Sequence, residues 1–97
     1  MTFEVRWSPE AEEQLEVTAQ WWAAFRPAAP ALLEEELAEA TALLERMPSA
    51  GRIYRDCYRM MLLRSTGLHL YYVVEDGERI VRIVALWGAR TGHGPIL

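Results

Sequence analysis

Apolar and polar positions alternate at the start of the chain. Phe3, Val5 and Trp7 fall on one side, Glu4 and Arg6 on the other. That predicts a strand with one buried face. Ser8 then suits a helix N-cap and Pro9 the first helical position. Glu10, Glu12 and Glu13 suit the positive end of the helix dipole. Ala11, Leu15, Thr18, Trp22 and Phe25 recur at spacings of four and three, one face of a helix, with Val17 and Trp21 widening the stripe. FRPAAP interrupts the pattern, and Pro30 can open a second helix. Leu33, Leu37, Ala40, Leu44 and Met47 repeat the same spacing, with Glu34, Glu35 and Glu39 off the stripe. Pro48 and Gly51 stop it, so the two helices form a hairpin.

Strand patterns follow at 58–64, 68–74 and 79–87. Ser65, Thr66 and Gly67 make the first turn, and Asp76-Gly77 is a hairpin signal before the last strand. The order β-α-α-β-β-β predicts an α+β domain, a helical hairpin packed on a largely antiparallel four-stranded sheet. In the last strand Ile80, Arg82, Val84 and Leu86 alternate with Val81, Ile83, Ala85 and Trp87. Both faces are therefore largely apolar, and one layer of two helices covers only one. The other face is exposed, covered by a partner, or covered by the chain's own end, and an exposed apolar patch of that size marks an interaction site.

Composition narrows the class. Ninety-seven residues, 52% of them hydrophobic, predict one packed domain over 1–97. A single cysteine, Cys57, makes no internal disulfide. With no basic, apolar leader pattern, the expected location is the cytoplasm. No run approaches the roughly 20 apolar residues of a membrane span. The net charge of −4 hides an asymmetry: residues 1–50 hold 3 Arg and 10 Glu, whereas residues 51–97 hold 7 Arg and 4 acidic residues. There is no lysine. Arginine recognises carboxylates and phosphates bidentately, so the C-terminal half is where an acidic partner belongs.

Few patterns carry chemistry. Cys57 reads as a small side chain, not a nucleophile. His69, His93 and Cys57 lack zinc-ligand spacing, and no phosphate loop or HExxH is present. No metal and no cofactor are expected. What remains is a basic and aromatic set: Arg52, Arg55, Arg59, Arg64, His69, Tyr71, Tyr72, Arg82, Arg90 and His93. Such a set can clamp RNA phosphates and supply an acid or base, or pair with acidic side chains of a protein.

Four stretches resemble, in order and spacing, the RelE/ParE superfamily of type II toxins, in the branch of plasmid stabilisation proteins. They are VRWSPEAEEQLE (5–16), WWAAFRPAAPALLEEELAEATALLERMPSAGR (21–52), YRMMLLRSTGLHLYYVVED (58–76) and IVALWGARTGHGP (83–95). The resemblance covers nearly the whole chain. It implies a RelE-like fold and a cognate, ParD-like or related antitoxin whose flexible segment wraps and neutralises the toxin. It implies no sequence-specific DNA binding by this chain alone.

The resemblance also implies one of two activities. RelE-like members cut messenger RNA on the ribosome, and ParE-like members inhibit DNA gyrase. The nuclease positions fall on Arg59, His69 and Arg90. Arg59 stands where the nucleases often have lysine, and His69 where they often have arginine. Met61 replaces a second basic residue, and only His93 stands in for the C-terminal tyrosine. Gly88 follows Trp87 where many relatives carry histidine. The expected function is therefore that of a ParE-like toxin that binds a target such as gyrase. The alternative is a ribosome-dependent endoribonuclease using Arg59, His69, Arg90 and His93. Arg59, Arg64, Tyr72, Arg82, Trp87 and Arg90 are the expected contacts to antitoxin or target.

Overall fold

The computed structural model describes residues 2–29, 31–88 and 94–97. Among them run β1 (Glu4–Trp7), α1 (Pro9–Phe25), α2 (Leu32–Arg46), β2 (Arg52–Arg55), β3 (Tyr58–Leu63), β4 (Leu68–Glu75) and β5 (Ile80–Gly88). Pro30, expected to open the second helix, lies outside the described residues, as do Arg90 and His93. The strands form one sheet in the order β1-β5-β4-β3-β2. β1 pairs with β5 in parallel, and every other neighbouring pair is antiparallel. The four expected strands are present on an α+β scaffold, and β2 adds a fifth at the edge. Only four residues long and with Ile53 67% exposed, β2 carries no periodicity to read.

Local chemistry accounts for the helices. The Ser8 hydroxyl accepts the Ala11 amide at 3.1 Å, with Pro9 beginning the first turn of α1. α2 has no side-chain cap; Glu34 and Glu35 sit in its first turn and Arg46 in its last, each favoured by the helix dipole. Both helices cover one face of the sheet. Leu33, Leu37, Leu44, Ala11 and Trp22 pack there against Leu63, Leu70, Tyr72, Val81, Ile83 and Leu86. Each fully buried aliphatic side chain contributes about 1.5–3 kcal/mol of transfer free energy. The Glu36 carboxylate fastens α2 to the β3–β4 turn. It accepts the Ser65 amide at 2.7 Å, the Thr66 amide at 2.9 Å and the Thr66 hydroxyl at 2.6 Å.

Three details differ from the pattern reading. Tyr71 pairs with Ala85 but Tyr72 with Ile83, so Val84 is an extra residue in β5. Such a bulge shifts the alternation by one. Leu86 therefore joins Val81 and Ile83 in the helix-side core, while Ala85 moves to the other side with Val84 and Trp87. β1 ends opposite Ile83, and beyond it the Leu86 amide donates to the Gln14 side-chain carbonyl of α1 at 2.8 Å. The β4–β5 turn does form at Asp76-Gly77, but its left-handed residue is Arg79, φ 58°, and not the glycine. Phe25, expected on the buried stripe of α1, is the last residue of the helix and is 67% exposed.

Candidate interaction surface

The face of the sheet that lacks helices carries part of the basic and aromatic set, with His69, Tyr71 and Arg82 among it. His69 lies opposite both Leu62 and Trp87, and Tyr71 lies between Met60 and Ala85. Tyr54 of β2 meets Tyr71 edge-on at 5.0 Å, and His69 meets it at 6.1 Å. Burial, and then the nearby positive charge of Arg52, push the His69 imidazole below its ordinary pKa. Burial, and then Tyr54, push the Tyr71 hydroxyl up. Arg82 pairs with Glu75 at 2.8 Å on this face, and Arg6, in register with Arg82, pairs with Glu4 at 2.7 Å.

The end of the chain returns over part of this face. Pro95 is buried, and Leu97 packs with Met60, Tyr71 and Ala85. At Gly94 a Cβ would lie 2.7 Å from the Tyr54 hydroxyl, so a larger residue there has to displace the end of that side chain. The second apolar face thus obtains part of its cover from the chain itself.

Two expected site residues sit elsewhere. Tyr72 is fully buried on the helix side. Its hydroxyl accepts the Gly51 amide and donates to the Pro48 carbonyl, both at 2.8 Å. It therefore holds the loop after α2 and is withdrawn from any binding surface, a correction to the expected contact set. Arg59 lies directly opposite Tyr72 in the β3–β4 pair and shares its face. Its guanidinium donates to the Gly51 carbonyl at 2.7 Å and to Ser49 at 3.4 Å. Arg59 and His69 therefore emerge on opposite faces. Trp87 and Arg82 are on the open face with His69. Arg64 is exposed just past the end of β3. Cys57 is exposed in the β2–β3 turn.

A second surface went unpredicted. Val17, Trp21 and Phe25 recur every four residues of α1 and are 62%, 46% and 67% exposed. Trp21 stacks with Phe25 at 5.3 Å and meets Trp22 at 6.0 Å. Beside this stripe, hollows of about 560 and 680 Å³ share Val17, Thr18 and Gly88 as lining and so form one groove between α1 and the sheet. The signal was present in the sequence: the apolar arc of α1 is wider than one packing face needs.

Comparisons with known proteins agree on family and fold. None of the curated proteins matches the chain significantly. Among solved structures, the chromosomal ParDE toxin-antitoxin system of P. aeruginosa superimposes with a TM-score of 0.75 at 14% identity, over 91% of this chain and 97% of that one. The RelBE2 toxin-antitoxin complex of Mycobacterium tuberculosis gives 0.64 at 19% identity, over 91% and 99%. A mutant of the E. coli toxin RelE in the free state gives 0.61 at 19%, over 95% and 88%. These likenesses establish a shared fold. Residues 5–91 match the family described as the ParE toxin of the type II toxin-antitoxin system parDE, and the chain belongs to that family.

Proposed function

We propose that this toxin works by binding a large protein target, DNA gyrase, without cutting RNA, and that a cognate ParD-like antitoxin silences it. The supporting observation is the division of the nuclease positions between two faces. Arg59 is spent on the carbonyls of Ser49 and Gly51 on the helix side, while His69 lies on the open side. A phosphate clamp and a general base must converge on one scissile bond, and these two do not. The exposed α1 stripe and the open face offer what a protein-binding toxin needs: apolar area bordered by arginine. No helix among the described residues is long and apolar enough to cross a membrane.

Purified gyrase assayed for supercoiling and for trapped cleavage complexes tests the reading. Inhibition at micromolar toxin, relieved by the product of an adjoining antitoxin gene, is expected. No effect on gyrase refutes the target. One observation favours the endoribonuclease instead: an imidazole, His69, its pKa lowered by burial and then by Arg52, meets Tyr71 edge-on, and Tyr71 in turn meets Tyr54, so that acid–base groups gather on the open face. Primer extension on messenger RNA after induction, showing cuts within translated codons that disappear in His69→Ala, establishes that reading in place of the first.

A further inference from the structure

A hollow of about 400 Å³ lies between the two helices, on a different flank of α1 from Val17, Trp21 and Phe25. Leu15 and Ala19 line it from α1, Ala38 and Thr41 from α2, and Trp7 from β1. The two alanines are exposed and too short to close it. Packed helices ordinarily fill such a gap with interdigitated side chains. This one is large enough to receive an apolar side chain from outside. Carboxylates surround it. Glu34 is part of the lining. Glu12 and Glu16 precede Leu15 and Ala19 by three residues, and Glu45 follows Thr41 by four, so helical periodicity sets all three beside the lining residues. All four are exposed, and none is in an ion pair among the described residues. The 3 arginines of residues 1–50 are engaged elsewhere. Arg6 pairs with Glu4, Arg26 lies over the Trp22 ring at 5.7 Å, and the Arg46 Nε donates to the Ala42 carbonyl at 3.4 Å. Exposed Arg52, Arg55 and Arg64 belong to the sheet half. The helices therefore offer apolar area bordered by negative charge, the reverse of what the sheet offers.

We infer that this hollow is where the toxin engages its protein target, and that the target presents there a helical segment with one large apolar side chain flanked by lysine or arginine. This rests on the reading that the chain acts by binding a protein, and adds the surface and the chemistry of the bound segment. The apolar side chain enters against Trp7 and Leu15 and leaves water, which anchors the complex. The basic side chains meet Glu12, Glu16, Glu34 and Glu45 around it, which steers encounter and fixes register. An acidic segment, of the kind suited to the arginine half, is repelled here. Opposite charge on the two halves thus sorts two kinds of partner onto two surfaces.

The experiment uses the full chain and a synthetic helical peptide of about 14 residues, with a central leucine and lysines three and four residues to either side. Amide and indole spectra of the isotope-labelled toxin locate the peptide. Saturable shifts centred on the Trp7 indole, Leu15 and Thr41 are expected. Ala38→Phe, at an exposed position, fills the hollow and is expected to abolish them. Glu12→Lys with Glu34→Lys is expected to weaken affinity at least about tenfold. Absence of binding overturns the inference. So does equal binding by a peptide with serine in place of the leucine, or a set of shifts centred on Tyr54 and Tyr71. Gyrase supercoiling then separates this inference from the reading it rests on. The folded variants are expected to lose the inhibition that the parent shows. A parent that inhibits, with variants that inhibit equally, overturns the hollow as the target surface and leaves gyrase as the target. A parent that never inhibits refutes gyrase alone, and the peptide result decides the hollow.

Discussion

On the helix side of the sheet, Leu70, Tyr72, Val81 and Ile83 are fully buried beneath two helices, and the Tyr72 hydroxyl is bonded on both sides. On the open side, Leu62 is 45% exposed, and what cover there is comes partly from Leu97 and Pro95. The same strands supply both faces, one residue apart. The helix side is filled as a core, with Leu33, Leu37 and Leu44 of α2 in one cluster with Leu70, Val81 and Ile83 of the sheet. The open side holds a smaller buried cluster of Met60, Tyr71 and Ala85, with His69, Arg82 and Trp87 half-buried on the same face. A face that is not needed to hold the fold is free to carry the groups that meet another molecule.

This contrast is sharpest in the cost of removing a leucine. Leu70→Ala leaves a cavity under the helices and is expected to destabilise the fold by about 2–5 kcal/mol in urea unfolding. Leu62→Ala, on the open side of the neighbouring strand, is expected to cost about 0.5 kcal/mol. Comparable losses at the two positions would mean that both faces are core, and the division of labour would be wrong.

Tyr72→Phe tests the same boundary with a single oxygen. The Gly51 amide and the Pro48 carbonyl both lose their partner, at an expected cost of about 2 kcal/mol. Gly51 fits this place because a Cβ there would lie 2.6 Å from the hydroxyl and 2.9 Å from the Met60 carbonyl. Antitoxin affinity, measured on folded protein, is expected to be unchanged. A large fall in affinity with stability intact would restore Tyr72 to the contact surface.

Adjacent tyrosines show how far the pattern could be read. Leu68, Leu70 and Tyr72 share parity, so the aliphatic side of β4 was legible and with it the burial of Tyr72. The same rule applied to β3 puts Arg59 with Met61 and Leu63, on the apolar side. The expected contact set took both from the charge and aromatic content of the region, without this check. Other features left no such mark. The bulge at Val84 exchanges Ala85 and Leu86 between faces, and it arises from pairing with Tyr71 and Tyr72, a long-range register that local alternation does not contain. β2 is too short to show a period. The exposed stripe of α1 was visible as excess apolar width, yet which part of that width the sheet would leave uncovered depended on how α1 lies across β5.

The Glu36 clamp belongs to the helix side and adds a pH signature. Burial raises its carboxyl pKa, but the Thr66 hydroxyl and the Ser65 and Thr66 amides outweigh that and hold it below the ordinary 4.5. A carboxylate held low in the folded state stabilises the fold fully above its unfolded value. The contribution disappears as pH falls through the lowered folded value. Glu36→Gln is therefore expected to cost about 1 kcal/mol at pH 7, with the difference from the parent shrinking below about pH 4.5. A difference that stays constant down to pH 3 would show that the amide replaces the carboxylate in shape but that charge never mattered.

The smallest expected effect comes from the chain's own cover. Deleting residues 94–97 removes Leu97 from its contacts with Met60, Tyr71 and Ala85, and uncovers the Tyr54 hydroxyl beneath Gly94. Leu97 is only half-buried, so the loss of stability is expected to stay at about 1 kcal/mol or less. The tyrosine ring resonances of Tyr54 and Tyr71 are expected to shift and to become accessible to a soluble paramagnetic probe, while those of Tyr72 stay protected. If the truncated chain instead loses as much stability as Leu70→Ala, the tail is an integral layer of the core. The open face would then be open only in part, and a partner would have to displace the tail before using it. A small loss with newly accessible rings keeps the two faces distinct: one holds the fold, and the other is lightly covered and able to be uncovered at little cost.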